Sequence, residues 1–308
     1  MAIIASVILS TTAIFIRYLT QEFLMPPLVL AFWREVLVGL TVLIALGIIR
    51  PALLRVARVH LPQLVFHGLV LALFNGLWTL SVALNGAAIS TVLVYSSAAF
   101  TALLGRWLLR EPLGWVKATA VAGSLTGCAL VSGAMDPQMW RVNLVGIVAG
   151  VLSGLLYAVY SLLGRSASLR GLNPWTTLLY TFSAAALFLF PACLLPLGRL
   201  TGSAYGAASF LWLGGSLVGW VILFLLAAGP TAVGYGLYNV SLSYLPSSVA
   251  NLILTTEPVF TSAFAFVLLG ERLTWVQIGG SALVLGGVLL IRSHEVATTQ
   301  SRKNAPLA

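Results

Sequence analysis

Long apolar stretches recur along the chain, and they constrain its fold more than any other feature of the sequence. Each has about 18 residues or more, enough for a helix to cross a bilayer core of about 30 Å. Only 7% of the residues are charged, whereas a soluble domain would have about 25%. The alternation of a membrane β-barrel is absent, so the backbone must satisfy its hydrogen bonds within helices. The sequence therefore predicts an all-α integral membrane protein.

Turn residues and charge clusters divide the apolar stretches into ten predicted transmembrane helices. The first has neither the basic region nor the cleavage site of a signal peptide, so we interpret it as a membrane helix. Residues 198–217 fit a loop, an interfacial helix or the lead-in to the eighth helix. The predicted helices cover 2–20, 28–49, 61–84, 87–109, 114–133, 143–164, 173–197, 218–243, 247–269 and 274–292.

An internal repeat relates the two halves of the sequence. The segment LLREPLGWV, which begins at Leu108, recurs 160 residues later as LLGERLTWV from Leu268, so that Glu111 matches Glu271. Since each half has five helices, the second half must enter the membrane in the opposite sense. We therefore expect two inverted five-helix repeats around a central cavity, with a polar, flexible cytoplasmic tail. The repeats, linker and tail cover 1–135, 136–142, 143–292 and 293–308.

Lysine and arginine residues predict the orientation of these helices. If the N-terminus is cytoplasmic, 11 basic residues fall on predicted inner segments and 4 on predicted outer segments. The positive-inside rule favours this arrangement, with both termini in the cytoplasm. The basic residues form short clusters between helices, and no basic stripe carries interleaved aromatic residues, so nucleic acid is not an expected partner. The expected partners are the lipid bilayer and a small-molecule substrate, and the oligomeric state is left open.

Inverted repeats favour transport over the other functions open to a helical membrane protein. Two halves of opposite orientation can open a central site to one side and then to the other, although duplication also builds inert scaffolds. Metalloprotease, nucleophile-elbow and phosphate-loop motifs are absent, and so is a channel filter motif. Cys128 and Cys193 lack the spacing of metal ligands. We predict no enzyme, no cofactor and no metal, and keep a membrane-embedded enzyme and a channel or signalling subunit as alternatives.

Polar and aromatic residues inside the predicted helices mark a candidate binding cavity. His67, Phe74, Trp78 and Asn85 share one helix face at 100° per residue, and the repeat offset adds polar partners from the other half. Such a cavity suits an amphipathic metabolite or a cation held over aromatic faces. Core packing, interhelical hydrogen bonding and an interfacial belt are the alternatives for each residue. The predicted substrate-binding residues are His67, Asn75, Trp78, Tyr95, Tyr157, Tyr238, Asn239 and Asn251. The predicted fifth and tenth helices have mainly small-residue packing, as at Gly123 and Gly127, and we expect them at the periphery.

Arg34, Glu257 and Pro258 are the candidates for coupling or gating. Glu257 lies nearest the predicted membrane midplane, where a carboxylate could carry a proton or bond to a neighbouring helix. Pro258 has no N–H, so we expect a hinge or packing point where the Leu254 carbonyl loses its helical partner. Arg34 and Glu35 point about 100° apart on a helix and need not pair.

The segment NLILTTEPVFTSAFAFVLLGERLTW, with its Glu257-Pro258 pair, resembles the second repeat of the EamA family in the drug/metabolite transporter superfamily. PLVLAFWREVLVGL is similar to the family's second helix and places Arg34 where an arginine is common. The first half departs from the pattern, because Ser97-Ala98 stands where the Glu-Pro pair would be. The resemblance implies a ten-helix exporter of amino acids or related metabolites in the bacterial cytoplasmic (inner) membrane. YddG-type aromatic amino-acid exporters are one candidate subgroup, and export of cationic or aromatic drugs and other metabolites is the alternative.

Overall fold

The computed structural model describes residues 1–111, 113–131, 144–194, 210–269 and 274–303. Within these ranges, the side chains of residues 13, 17, 83, 85–89, 265, 266, 268, 269 and 291–303 are left out of the description. The predicted linker 136–142, Glu271, and the side chain of Asn85 therefore lie outside the described part of the chain. All regular secondary structure within the described residues is helical.

Thirteen α-helices account for most of the described residues. A π-helical segment, Ala227–Val233, joins α9 to α10, and two short 3-10 turns, Pro51–Leu54 and Arg58–His60, lie between α3 and α4. The α-helices are α1 (Ala2–Leu9), α2 (Thr12–Glu22), α3 (Pro27–Ile49), α4 (Leu61–Tyr95), α5 (Ser97–Leu108), α6 (Trp115–Val131), α7 (Leu144–Leu169), α8 (Pro174–Leu194), α9 (Leu217–Leu226), α10 (Gly234–Tyr244), α11 (Ser247–Leu254), α12 (Glu257–Leu269) and α13 (Trp275–Lys303).

Seven helical segments of the described chain are long and apolar enough to cross a membrane. Two shorter apolar helices, Trp115–Val131 and Trp275–Leu290, and the pair α11 and α12 lie at the sequence positions of the three remaining predicted membrane helices. The seven segments are Ala2–Glu22, Pro27–Ile49, Arg58–Val82, Ser90–Leu108, Leu144–Leu169, Pro174–Leu194 and Leu217–Tyr244. The described chain is therefore an all-helical protein with multiple membrane-spanning segments.

The chain reverses direction within α4, although the helical assignment is continuous there. The Ser81 and Ser90 hydroxyls are hydrogen-bonded at 2.8 Å. In a straight helix, residues nine apart would be separated by about 13 Å along the axis. The chain must therefore turn back between these two serines, and α4 contains both the predicted third helix and the first part of the predicted fourth.

Three of the predicted continuous helices are interrupted at serine or threonine residues. The interruptions lie at 10–11, at 96 and at 255–256. At each one a side-chain hydroxyl bonds to a carbonyl three residues earlier and so competes with the helical backbone bonds. Because these carbonyls have hydroxyl partners, the interruptions are tolerated inside a membrane. The bonds are Ser10 to Val7 (2.6 Å), Thr11 to Ile8 (2.7 Å), Ser96 to Leu93 (2.6 Å), Thr255 to Leu252 (2.6 Å) and Thr256 to Ile253 (2.7 Å).

The predicted helix 218–243 is also irregular, because Pro230 lies inside it. Pro230 has no N–H, and its ring displaces the helical bond to the carbonyl of Leu226. The Thr231 hydroxyl donates to that carbonyl at 2.8 Å, and the backbone forms the π-helical segment at this point. Of the uncertain segment 198–217, the described residues 210–216 lead into α9. Residues 195–209 lie outside the described part of the chain.

Helix α13 extends beyond the predicted tenth membrane helix into the segment that the sequence predicted to be a cytoplasmic tail. The helix continues to Lys303. Residues 293–303 contain no glycine or proline that would end a helix, and the polar composition of this segment does not prevent helix formation.

The main core joins α3, α4, α7, α8 and α10, while α6 and α13 pack together. A Cβ at Gly127 of α6 would lie 2.6 Å from the Gly280 carbonyl oxygen of α13, so only glycine permits this approach. Gly123, in contrast, has open space beside it, and the expected packing role holds for Gly127 alone. The first residues of these two helices, Trp115 and Trp275, are each 87% exposed, as expected for tryptophans at a membrane interface.

Candidate functional site

A cavity of about 100 Å³ lies where the interrupted helices meet. The interruption between α11 and α12 contacts α1, since the Thr256 and Ser6 hydroxyls are hydrogen-bonded at 2.8 Å. The cavity is lined by residues from α1 to α4, α7, α10, α12 and the π-helical segment. These are Leu9, Thr12, Arg34, Phe74, Asn75, Trp78, Thr91, Val94, Tyr95, Tyr157, Thr231, Tyr235 and Glu257.

Arg34, Glu35 and Asn75 form a buried polar network at this cavity, which we call the cavity cluster. Arg34 Nη2 donates to Asn75 Oδ1 at 2.9 Å and lies 3.3 Å from Glu35 Oε1. Asn75 Nδ2 donates to the same Glu35 oxygen at 2.5 Å. Although sequence neighbours on a helix need not pair, Asn75 of α4 holds the two charged side chains together. Asn75 therefore sets the geometry of the ion pair.

The cavity cluster leaves polar atoms without partners. Among the described residues, neither Arg34 Nε nor Glu35 Oε2 has a hydrogen-bond partner, and both atoms are buried. The nearby Thr12 hydroxyl is also buried and has no hydrogen-bond partner within the described chain. Buried polar groups normally have hydrogen-bond partners, so each buried group without one requires an explanation. Arg34 and Thr12 both line the cavity, so a bound molecule could complete their hydrogen bonding.

Glu257 brings a carboxylate to the lining of the cavity from the other half of the chain. It is the first residue of α12, where the positive end of the helix dipole favours an anionic side chain. The Tyr95 hydroxyl, at the end of α4, is hydrogen-bonded to the Glu257 carboxyl. Pro258 follows in the first turn of α12, where a proline is tolerated because its N–H would have no partner. The break thus precedes Pro258, at 255–256, and is not centred on it.

Aromatic rings form one wall of the cavity and continue into the core behind it. Phe74 and Tyr157 stack with their ring centroids 5.1 Å apart. Tyr157 also stacks on Tyr160 and on Tyr238, each at 6.1 Å. Trp78 is half-buried and lines the same cavity. The wall can therefore contact an apolar group or the face of a cation.

A second polar network, the floor cluster, lies beneath the cavity and consists of Ser97, Ser161, Tyr238 and Asn251. Ser161 donates its one proton to the Tyr157 carbonyl at 2.9 Å. Its oxygen therefore accepts from the Tyr238 hydroxyl at 2.6 Å and from Asn251 Nδ2 at 3.2 Å. Ser97 donates to Asn251 Oδ1 at 3.1 Å. The members of the floor cluster satisfy one another.

Six of the candidate residues line the cavity together: Asn75, Trp78, Tyr95, Tyr157, Arg34 and Glu257. The other candidates are buried beside it and are not among its lining residues. Tyr238 and Asn251 belong to the floor cluster, and Asn239 accepts from the Tyr160 hydroxyl at 3.4 Å. His67 packs on Tyr160 at 4.5 Å and lies 3.3 Å from the Thr181 hydroxyl. Pro258 is buried in the first turn of α12. Binding by these residues stays a prediction.

Sequence reasoning left several lining residues out of the candidate set. Tyr235 and Thr91 carried a signal, since the repeat matches Tyr235 with Asn75 and Thr91 with Asn251. Thr231 directly follows a proline inside an apolar stretch, which marks a place where a hydroxyl is needed. Thr12 had no signal in the sequence, because only the break at 10–11 brings it to the cavity.

Glu111 is a further buried carboxylate, and it anchors the start of α11. Its two oxygens accept from the backbone N–H and the hydroxyl of both Ser247 and Ser248, at 2.5 to 3.2 Å. A carboxylate at this position satisfies amides that have no partner within the helix and complements its dipole. At the adjacent end of α10, Arg165 donates to the Leu242 and Ser243 carbonyls at 2.8 and 3.0 Å.

The helical fold and the charged cavity within it define a multi-pass membrane protein with an internal polar site. The match to known families is specific: residues 1–133 and 144–293 match the EamA-like transporter family. The chain belongs to this family, and it is therefore a membrane transporter.

Named relatives agree with this assignment. The chain is 28% identical over 262 residues to the threonine/homoserine exporter RhtA of Salmonella typhimurium, covering 82% of this chain and 80% of that protein. It is 30% identical over 145 residues to an uncharacterized transporter of Archaeoglobus fulgidus, covering 47% of each. A solved crystal structure aligns with a TM-score of 0.74 at 16% identity over 99% of this chain and 98% of that chain, and so shares the fold.

Proposed function

We propose that the protein exports small amino acids across the cytoplasmic membrane by alternating access. The observation that carries this proposal is the central cavity, where Arg34 and Glu257 face one space at the meeting point of interrupted helices. Transporters commonly form their substrate sites from discontinuous helices near the membrane midplane. Charged residues inside a membrane are costly and are retained where they serve a substrate or an ion.

Two inverted five-helix halves, ten helices in all, provide the alternating movement in this proposal. The interruption at Ser96 precedes the interruption at Thr256 by 160 residues, which is the offset of the sequence repeat. Trp115 and Trp275, also 160 residues apart, are equally exposed at the starts of α6 and α13. Helices of both halves that bend at equivalent points can open the cavity to one side while they close it on the other.

The proposed orientation, with both termini in the cytoplasm, predicts on which side of the membrane the cavity is closed in this conformation. Glu111 and Arg165 lie at predicted cytoplasmic ends of their helices, and both hold the α10–α11 corner through hydrogen bonds. The floor cluster lies on this same side of the cavity. Ser97 follows Tyr95 in the predicted fourth helix, which runs towards the cytoplasm in this orientation. Asn251 precedes Glu257 in the predicted ninth helix, which runs away from the cytoplasm. This arrangement is that of a transporter closed towards the cytoplasm.

A small amino acid fits the proposed site better than an aromatic one. The cavity of about 100 Å³ is below the range of about 300 to 1,000 Å³ that is usual for ligand pockets. RhtA is named an exporter of threonine and homoserine, and we extend that substrate class to this chain. A YddG-type aromatic substrate would require the stacked wall of Phe74 and Tyr157 to move.

Flux measurements in liposomes test the proposal. Purified protein should exchange labelled threonine or homoserine, and the exchange rate should saturate with concentration. The labelled compound should be chemically unchanged afterwards, whereas an enzyme would convert it to a product. Repeating the assay with and without a pH gradient tests whether flux is coupled to protons. A broad amino-acid panel without flux above that of empty vesicles would remove the amino-acid assignment.

The alternative substrate is an aromatic cation, and one observation favours it. Glu257 and the half-buried Trp78 line the same cavity, which would provide both a carboxylate and an aromatic face for a positive charge. A fluorescent aromatic cation should then be transported and should compete with labelled amino acid. Flux of the cation without flux of any amino acid would select this alternative.

A further inference from the structure

We infer that the cavity recognises the zwitterionic head group of an α-amino acid, with Arg34 binding the carboxylate and Glu257 binding the ammonium group. This inference rests on the transport function proposed above. It adds that both charges of the substrate are read, so that molecules with only one of them are poor substrates.

Arg34 lines the cavity and has a donor without a partner among the described residues. The residue is 7% exposed, and its bonds to Glu35 and Asn75 both use Nη2. Within the described residues Nε has no partner, although it is buried. A guanidinium binds a carboxylate through two parallel N–H groups with specific geometry. The Arg34 side chain is thus held in place by one nitrogen and has a second nitrogen available for a ligand carboxylate.

Glu257 is placed to bind a cationic group at the same cavity. It is half-buried, and no ion pair to it occurs in the described part of the chain. Its hydrogen bond from the Tyr95 hydroxyl orients the carboxyl. That bond leaves acceptor positions for the three donors of an ammonium group. Unlike Glu35, whose charge is paired with Arg34, Glu257 has no cationic partner among the described residues, so a bound ammonium group would supply one.

The two sites are close enough to act on one small molecule. Arg34 and Glu257 line the same cavity of about 100 Å³, and the Tyr235 hydroxyl interacts electrostatically with both. A cation alone would leave Arg34 Nε unsatisfied, and an anion alone would face the Glu257 carboxylate. A zwitterion satisfies both groups and adds no net charge to a region of low dielectric, where an unpaired charge is costly. The α-amino acid head group has this charge pattern on adjacent atoms.

Competition with charge-deleted analogues tests the inference on the unmodified protein. Liposomes containing the protein exchange labelled L-threonine in the presence of unlabelled L-threonine, L-threoninamide or 2,3-dihydroxybutanoate. The amide lacks the carboxylate, and the hydroxy acid lacks the ammonium group. We expect each analogue to compete at least about tenfold more weakly than threonine, because a site built for a polar group rejects analogues that lack it.

Two substitutions assign each charge to its residue. Arg34→Lys keeps the charge beside Glu35 but removes the forked donor, so it should weaken threonine competition and leave that of the amide unchanged. Glu257→Gln should weaken threonine competition and leave that of the hydroxy acid unchanged or improved. Arg170→Lys and Glu22→Gln, at exposed positions away from the cavity, should leave all three compounds unaffected. Thermal unfolding of each purified variant shows whether it is folded.

The possible outcomes separate this inference from the function on which it rests. Threonine exchange with strong preference over both analogues supports both. Threonine exchange in which either analogue competes as well as threonine overturns the zwitterion inference and leaves amino-acid export in place. Absence of exchange for every amino acid overturns both. Equal loss of competition for all three compounds in both cavity variants, in folded protein, also overturns the residue assignment.

Discussion

The cavity cluster and the floor cluster are both buried polar networks inside the membrane region, but they differ in how completely they are satisfied. In the floor cluster, Ser161 bonds to three partners, and Asn251 bonds through both its oxygen and its nitrogen. In the cavity cluster, Arg34 and Glu35 each leave a buried atom without a partner in the described chain. The floor cluster also has no charged member, whereas the cavity cluster contains an ion pair.

This difference in hydrogen bonding indicates which polar residues hold helices together and which are available to a ligand. A satisfied neutral network stabilises helix packing and would lose bonds if a ligand entered it. An incompletely satisfied network beside a cavity gains bonds when a ligand arrives. The amide groups alone do not distinguish the two, since both clusters contain an asparagine and lie among aromatic rings. The four predictions below test the distinction.

Removal of Arg34 should have the largest effect on stability. Arg34→Gln leaves the fully buried Glu35 carboxylate without its cation, which costs about 3–5 kcal/mol in comparable buried pairs. Thermal unfolding in detergent measures the loss. Adding Glu35→Gln to the same protein should restore more than half of the stability, while Arg170→Gln at an exposed position should change nothing. A double variant as unstable as the single one would show that the pair is not electrostatically coupled.

Removal of the Glu111 carboxylate should have the next largest effect, at the corner between α10 and α11. Glu111→Ala removes the acceptor for four hydrogen bonds at the start of α11, which also carries Asn251. We expect a loss of about 2 kcal/mol, the upper range for a helix N-cap. Unfolding curves of this variant and of Glu22→Ala provide the comparison. Equal stability of the two would contradict an anchoring role for Glu111.

Tyr238→Phe should have a moderate effect on stability and little effect on transport. The substitution removes the hydroxyl that donates to Ser161 and keeps the ring, so the expected loss is about 1 kcal/mol. Flux per folded molecule should remain close to that of the unmodified protein. Strong loss of flux with unchanged stability would instead make Tyr238 a binding residue, as the sequence predicted.

Tyr95→Phe should have the smallest effect on stability and a clear effect on transport. Its hydroxyl bonds to Glu257 at the cavity, where water can replace it, so stability should change by less than about 0.5 kcal/mol. Loss of the bond that orients the carboxyl should lower flux by about tenfold, as expected for one charge-assisted hydrogen bond. Liposome flux and thermal unfolding together separate Tyr95→Phe from Tyr238→Phe. The same loss in both assays for both variants would remove the distinction between the clusters.

Sequence reasoning predicted the fold class well because the constraint on membrane helices is strong. The apolar stretches and the repeat fixed the expected positions of most helices, and the resemblance to the EamA family is confirmed by the family match. The interruptions at Ser10, Ser96 and Thr255 were not predicted, since serine and threonine also occur in uninterrupted membrane helices. The path of the backbone at these residues depends on neighbouring helices, such as α1 beside Thr256.

The sequence by itself determined that this chain is helical, lies in a membrane and carries a few ionisable residues within its apolar stretches. Periodicity placed Trp78 and His67 on one face, but only the tertiary structure put Trp78 at the cavity and His67 in the packed core. The tertiary structure also joined Arg34, Glu35 and Asn75, and it brought Glu257 to the same cavity. The physical reason is that the length of an apolar stretch and the energetic cost of a charge within it can both be judged from the local sequence. Which polar atoms become satisfied depends on contacts between helices that are distant in sequence.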